Sequence, residues 1–153
     1  MKPRPLVIAM GNEFRGDDAA ALVAARRLRA QLADLDIAEH TGDGAALLDL
    51  WQNADTVILL DAAQSGAPPG TIHRFEIKRN SLPSVSFPDC THSFGLTQAL
   101  DLARALGCLP PRLVVYGIEG ERFDHGTELS DPVQRAIGKL IGELLESPLL
   151  ALT

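Results

Sequence analysis

The chain is poor in cysteine, and this restricts the chemistry it can carry out. Its 153 residues include two cysteines, Cys90 and Cys108, which form no CxxC pair. Structural zinc sites and dithiol redox centres need thiols in closely spaced sets. The sequence therefore predicts neither a disulfide scaffold nor a zinc knuckle nor a redox motif.

Basic charge and long apolar runs are also scarce. The formal net charge is −6, whereas nucleic acids and anionic lipids are bound by basic patches. The first apolar run, residues 6–10, is too short for the core of a signal peptide or for a membrane span. We expect a cytoplasmic monomer whose partners are proteins or small molecules, with no nucleic acid and no membrane.

Several common enzyme signatures are missing too. The chain contains no HExxH, GxSxG or GxxxxGK[ST] sequence, and Gly11 and Gly16 do not form a GxGxxG motif. The sequence therefore lacks the main motifs that would identify the chain as a zincin, a nucleophile-elbow hydrolase or a nucleotide-binding protein. Nucleotide binding is left as a minor alternative.

What the chain does contain is an alternation of apolar strands and amphipathic helices within a length that fits one domain, residues 1–153. The continuous apolar runs are typical of strands buried on both faces. The predicted fold is a three-layer α/β/α structure with a mostly parallel, twisted sheet of about five strands, helices on both faces and one antiparallel edge strand. Strands are predicted at residues 6–10, 37–40, 56–60, 71–77 and 113–118. Helices are predicted at residues 18–32, 45–51 and 94–106 and after Ser130.

Local sequence patterns predict where these helices begin. Asp17 precedes an alanine-rich helix, and aspartate is a frequent N-cap, so we predict Asp17 as the cap and Asp18 in the first turn. Ser130 is predicted to cap the last helix, with Pro132 just inside it. The tail beyond Pro148 is predicted to fray or to lie on the surface. The buried stripe of the last helix is predicted to contain Val133, Ile137, Leu140, Ile141, Leu144 and Leu145.

Three side chains could carry chemistry where the predicted strands end. Asp18 follows the first strand, Asp61 directly follows the second long apolar run, and His92 follows a long loop. In open α/β sheets the ligand crevice lies past the carboxyl ends of the strands. Two carboxylates and one imidazole from separate loops could hold a borderline divalent ion such as nickel or zinc. We therefore predict a site made of Asp18, Asp61 and His92.

Four sequence motifs, met in order along nearly the whole chain, resemble those of the hydrogenase maturation peptidases. Residues 11–18 read GNEFRGDD and are similar to a GN-x-x-x-GDD motif. Residues 57–71 resemble that family's strand-Asp-Ala segment followed by SG-x-x-PGT. Residues 91–96, THSFGL, and 109–120, with LPP and GIEG, are similar to its later motifs.

The resemblance implies a doubly wound sheet and an endopeptidase that removes the C-terminal extension of a [NiFe] hydrogenase large-subunit precursor after nickel insertion. It places the two acidic metal ligands on Asp18 and Asp61 and the histidine ligand on His92, which are also the expected catalytic residues. The nickel would be supplied by the substrate, with no tightly bound cofactor in the free protein. Supporting or substrate-binding roles are expected for Asn12, Gly16, Asp17, Gly42 and Asp43.

Two departures from the family pattern qualify this reading. Several relatives have glutamate at the position of Asp18. The aspartate side chain of this chain is one methylene shorter than glutamate. Residues 39–44 read EHTGDG where many relatives have a DGGT-like turn facing the substrate. Two other functions stay open: a self-sufficient metal-dependent peptidase, and a noncatalytic chaperone of the immature subunit.

Overall fold

A computed structural model describes residues 5–40, 45–78 and 96–150. This part of the chain contains five strands: β1 (Leu6–Met10), β2 (Asp36–His40), β3 (Thr56–Ala63), β4 (Ile72–Lys78) and β5 (Arg112–Glu119). It also contains four α-helices: α1 (Ala20–Gln31), α2 (Ala45–Leu50), α3 (Leu96–Leu106) and α4 (Asp131–Glu146). One 3-10 turn, Gly16–Ala19, precedes α1, and a second, Pro148–Leu150, follows α4.

The five strands form one sheet in the order β2-β1-β3-β5-β4. The first four strands of this order run parallel, whereas the edge strand β4 runs antiparallel to β5. The predicted fold class, including the antiparallel edge strand, is confirmed. β1 has the predicted bounds, and the weak pattern at residues 37–40 is a genuine edge strand.

Two apolar layers cover the sheet, one on each face. Successive side chains of a strand point to opposite faces, and in β3 Ile58 and Leu60 pack in the cluster that contains α1 and α4. Val57 and Leu59 pack in the other cluster, with α2 and α3. Asp61 lies two residues after Leu59, so its side chain is on the α2 and α3 face.

The structure corrects three local predictions about these elements. Asp17 does not cap a helix, because a 3-10 turn precedes α1 and Ala19 occupies its N-cap position without a side-chain cap bond. β3 continues through Asp61 to Ala63 instead of ending before it. Leu145 is exposed on α4.

The end of the chain is also less exposed than predicted. Leu149 and Leu150 form part of the 3-10 turn after α4, and both are buried in the cluster of α1 and α4. Two leucines of the tail therefore extend the core. No helix in the described ranges is long and apolar enough to cross a membrane.

Candidate functional site

Two buried carboxylates lie at the carboxyl edge of the parallel strands. Asp18 sits in the 3-10 turn that follows β1, and Asp61 lies near the end of β3; their exposed fractions are 1% and 2%. This turn contacts β3. Oδ1 of Asp61 accepts a hydrogen bond of 2.8 Å from the amide of Ala62. Two buried acidic residues therefore lie on contacting elements at this edge of the sheet.

The turn before Asp18 is closed by close backbone contacts. The amide of Asp18 donates to the carbonyl of Arg15 at 3.0 Å, and its own carbonyl accepts from the amide of Asn12 at 3.3 Å. A Cβ on Gly11 would overlap this same carbonyl oxygen of Asp18. Glycine at position 11 is therefore required for the approach that places Asp18.

Asn12 stabilises this turn with its side chain. Its Oδ1 accepts a hydrogen bond of 2.9 Å from the amide of Phe14, two residues later. Asparagine commonly makes such bonds to nearby backbone in turns. The contact supports a local structural role for Asn12.

Gly16 adopts a left-handed conformation with φ of 55°, which side-chain-bearing residues rarely adopt. A Cβ there would overlap the hydroxyl of Thr127 and press on the carbonyl of Arg122 at 2.5 Å. The loop between β5 and α4 therefore packs directly on the turn that carries Asp18.

Asp17 binds this loop instead of capping a helix. Its Oδ2 accepts hydrogen bonds from the amides of Glu121 (2.7 Å) and Arg122 (2.9 Å) and from the hydroxyl of Ser130 (2.8 Å). Its Oδ1 accepts from the amide of Ser130 at 2.8 Å. Ser130 does occupy the N-cap position of α4, but its hydroxyl bonds to Asp17 and makes no cap bond.

Three of the predicted site residues, His92, Gly42 and Asp43, lie outside the described residues. The structure places α3 from Leu96, four residues after His92, and packs Ala99 and Leu100 on the face of the sheet that carries Asp61. Within residues 5–40, 45–78 and 96–150, no group of three His, Cys, Asp or Glu side chains could hold a metal ion. The three-ligand site thus stays a prediction.

A cavity of about 350 Å³ adjoins the turn on the side of β2. Arg26 lines it and pairs with Glu39 at 2.8 Å and with Glu13 at 3.2 Å. The hydrogen bond from Arg26 holds the pKa of Glu39 below its usual range. These pairs are solvent-exposed and add little stability. The cavity is lined by Asn12, Glu13, Phe14, Leu22, Arg26 and Glu39.

Sequence reasoning missed a second polar group on the Asp61 face of the sheet. Glu119, the last residue of β5, is 2% exposed and binds Ser65 and His73. The signal available in the sequence was the position of Glu119, an acid at the end of a buried strand, as for Asp61. No comparable signal marked His73, because residues 71–77 mix polar and apolar side chains and predicted only an edge strand.

The fold and the site define a doubly wound α/β domain with two buried acidic residues at the carboxyl edge of its sheet. Comparison with known proteins gives the family. The family model of HycI, hydrogenase maturation protease, matches residues 25–147, a range that includes Asp61 and begins after Asp18. The chain belongs to the hydrogenase maturation protease family, and it is a peptidase.

Individual relatives agree with this assignment. The hydrogenase expression/formation protein HupD of Thiocapsa roseopersicina is 28% identical over 148 residues, which cover 94% of this chain and 67% of HupD. The corresponding protein HoxM of Azotobacter vinelandii is 25% identical over 150 residues, covering 94% and 72% of the two chains.

Solved structures share the fold. The [NiFe] hydrogenase maturation protease HybD from Thermococcus kodakarensis superposes with a TM-score of 0.72 at 26% identity, covering 94% of this chain and 99% of HybD. An endopeptidase from Escherichia coli gives a TM-score of 0.75 at 23% identity over 93% and 90% of the chains. The second similarity concerns the fold alone.

Proposed function

We propose that this chain is the endopeptidase that removes the C-terminal extension of a [NiFe] hydrogenase large-subunit precursor once nickel has been inserted. Membership of the hydrogenase maturation protease family supports the reaction class. The single observation that carries the site assignment is the burial of Asp18 and Asp61 on two contacting elements at the carboxyl edge of the sheet.

In this proposal the nickel of the precursor is the recognition element. Asp18 and Asp61 supply oxygen ligands and His92 supplies a nitrogen ligand, a set that suits a borderline divalent ion. Three protein ligands leave positions for groups of the precursor. The free protein then needs no tightly bound metal, because the substrate completes the site.

The hydrolytic step follows from holding the scissile peptide beside the ion. A water attacks the peptide carbonyl, the carbon–nitrogen bond breaks, and the departing amine takes up a proton. The positive charge of the ion stabilises the oxyanion, while a carboxylate at the site accepts the proton of the attacking water. The requirement for nickel would restrict cleavage to precursors whose metallation is complete.

One experiment tests the proposal. The protein is incubated with nickel-loaded and with nickel-free precursor, and the mass of the large subunit is followed. We expect loss of the tail from the loaded precursor alone. Equal cleavage of both samples would refute nickel recognition, and binding without any mass change would indicate a noncatalytic chaperone.

A second arm addresses the self-sufficient peptidase. Such an enzyme would hold metal in the purified state and hydrolyse unrelated peptides. Elemental analysis of the purified chain and an assay on a generic peptide mixture are expected to show neither property. Tight metal together with turnover of generic peptides would overturn the proposed substrate.

A further inference from the structure

The open cavity on the β2 side of the sheet has no part in the reaction described so far. It has a volume of about 350 Å³ and lies beside the turn that follows β1. Phe14 on its wall is 69% exposed, and the side chains of Glu13 and Arg26 are 47% and 46% exposed. Leu22, which also lines the cavity, is buried. A ligand in the cavity would therefore contact the ring of Phe14 and the two charged side chains.

Hydrogen bonds hold the backbone of Phe14 in place. Its amide donates to Oδ1 of Asn12 at 2.9 Å, and its carbonyl accepts from the amide of Gly126 at 3.0 Å. The next residue, Arg15, donates through Nε to the carbonyl of Phe123 at 3.2 Å. Little backbone freedom is therefore lost when a ligand packs on the ring of Phe14. Aromatic anchors of this kind often contribute a large share of the binding energy of an interface.

The two acidic side chains of the cavity are compensated unequally. Glu39 accepts hydrogen bonds from Nε and NH2 of Arg26 and from NH1 of Arg29. Among the described residues, Glu13 accepts one bond of 3.2 Å, from NH1 of Arg26. A carboxylate has about four acceptor positions, and Glu13 is more exposed than Glu39. The negative charge that a ligand can reach is therefore that of Glu13, and it favours a positively charged partner.

The cavity and Asp61 lie on opposite faces of the sheet. Ile37 of β2 packs in the cluster of α1 and α4, so Glu39, two residues later, lies on that face. Asp61 lies on the face of α2 and α3. Asn12 lines the cavity, and its amide donates to the carbonyl of Asp18 at 3.3 Å. A group bound in the cavity is therefore next to the turn that carries Asp18 but separate from a peptide bond held at Asp61.

We propose that this cavity is an exosite, a binding site away from the scissile bond, and that it takes a basic side chain of the large-subunit precursor. The aliphatic stem packs on the ring of Phe14 and the charged head binds Glu13. Long basic side chains have both parts, and a cation is attracted to an aromatic face. The net charge of −6 favours the approach of a basic surface. This inference rests on the proposed function, because it takes the precursor as the ligand.

Two substitutions with matched controls test the exosite. Phe14→Ala removes the ring, and its control is Leu106→Ala, which truncates another exposed apolar side chain at the end of α3. Glu13→Lys reverses the charge at the cavity, and Glu143→Lys makes the same change of net charge on an exposed position of α4. Thermal unfolding of each full-length variant checks that it is folded. Loss of the exposed pair with Arg26 is expected to change stability little.

The dissociation constant is measured with nickel-free precursor, which the proposed function leaves uncleaved, and kcat and KM with nickel-loaded precursor. We expect Phe14→Ala to weaken binding about fivefold to thirtyfold, and Glu13→Lys about threefold to tenfold at low salt. Both controls should bind as the wild type does. KM should rise in both cavity variants with kcat within about twofold of wild type, because neither side chain touches the reacting groups. Added salt should reduce the effect of Glu13→Lys and preserve that of Phe14→Ala.

The binding measurement separates this inference from the proposed function. If both cavity variants bind like their controls, the exosite is overturned, whether or not the tail is removed. Weaker binding in Phe14→Ala alone would refute a basic ligand. A fall in kcat with an unchanged dissociation constant would mean that Phe14 only shapes the Asp18 turn, and would also overturn the exosite.

Two further outcomes concern the proteins without substitutions. If the binding pattern holds but wild-type protein removes no tail, the exosite stands and the peptidase proposal fails. Absence of binding between the wild-type protein and nickel-free precursor would overturn the exosite.

Discussion

Asp17 and Ser130 lie 113 positions apart in the sequence and are joined by two hydrogen bonds of 2.8 Å, from the amide of Ser130 to Oδ1 and from its hydroxyl to Oδ2. Both residues are fully buried. Their bonds tie the turn after β1 to the start of α4. Because Asp18 is the next residue, the position of one proposed metal ligand depends on this tertiary contact.

Asp17→Asn should destabilise the fold markedly. The backbone amides and the Ser130 hydroxyl that now donate to the Asp17 carboxylate would instead meet the side-chain NH2 of asparagine. An NH2 group is itself a donor, so those hydrogen bonds would be lost. We expect the free energy of unfolding to fall by about 2 to 4 kcal/mol, measured by urea denaturation. The control is Asp124→Asn on the exposed part of the same loop, expected to change stability by less than about 0.5 kcal/mol. Equal effects of the two substitutions would contradict the role given to Asp17.

Gly11→Ala should disturb the turn that carries Asp18. The added Cβ would overlap the carbonyl oxygen of Asp18, so the backbone has to shift, at an expected cost of about 1 to 3 kcal/mol. Processing of the precursor should fall as well. The matched control is Gly138→Ala on the exposed side of α4, where nothing lies within 4 Å. There the better helix former should stabilise the protein by about 0.5 to 1 kcal/mol.

Glu119→Gln should make stability less sensitive to acid. The pKa of Glu119 is lower in the folded protein than its ordinary value of 4.5, so its ionised form favours folding above that value. This contribution is lost as the pH falls below about 4.5 toward the folded pKa. Urea denaturation between pH 3 and 6, chosen as roughly the range that spans this titration, should show a shallower decline in the variant. Parallel pH curves for the two proteins would contradict the prediction.

Asp61→Asn should abolish tail removal without unfolding the protein. The substitution preserves shape but weakens a proposed nickel ligand, and we expect processing to slow by about a hundredfold or more. The variant is expected to stay folded, because asparagine has the shape of aspartate, and thermal unfolding checks this. Asp49→Asn on the exposed face of α2 should keep full activity. An active Asp61→Asn enzyme would remove Asp61 from the site.

His92→Ala is the matching test for the proposed nitrogen ligand. We expect it to abolish removal of the tail while the unfolding temperature stays near that of the wild type. The mass of nickel-loaded precursor after incubation is the readout. Wild-type processing by this variant would leave Asp18 and Asp61 as a pair and require a different third ligand.

Strand and helix positions were largely predictable from local patterns. Residues 6–10 and 56–60 are continuous apolar runs, and a strand buried on both faces needs such a run wherever it lies in the sheet. The antiparallel edge strand was also predictable, since its polar, mixed residues follow a turn rich in glycine and proline. The shared carboxyl edge of parallel strands was enough to propose Asp18 and Asp61 as partners.

The roles of Asp17, His73 and Glu119 were decided by tertiary structure. Asp17 has the local sequence of a helix cap. In the folded protein its carboxylate instead accepts four hydrogen bonds from residues 121, 122 and 130. Strand register aligns His73 with Asp61 across β5, although the two residues are distant in sequence. Sequence patterns therefore determined the elements and the acidic edge of this protein. Which polar side chains stabilise the carboxyl edge of the sheet was decided by hydrogen bonds between segments distant in sequence. No local pattern encodes such bonds.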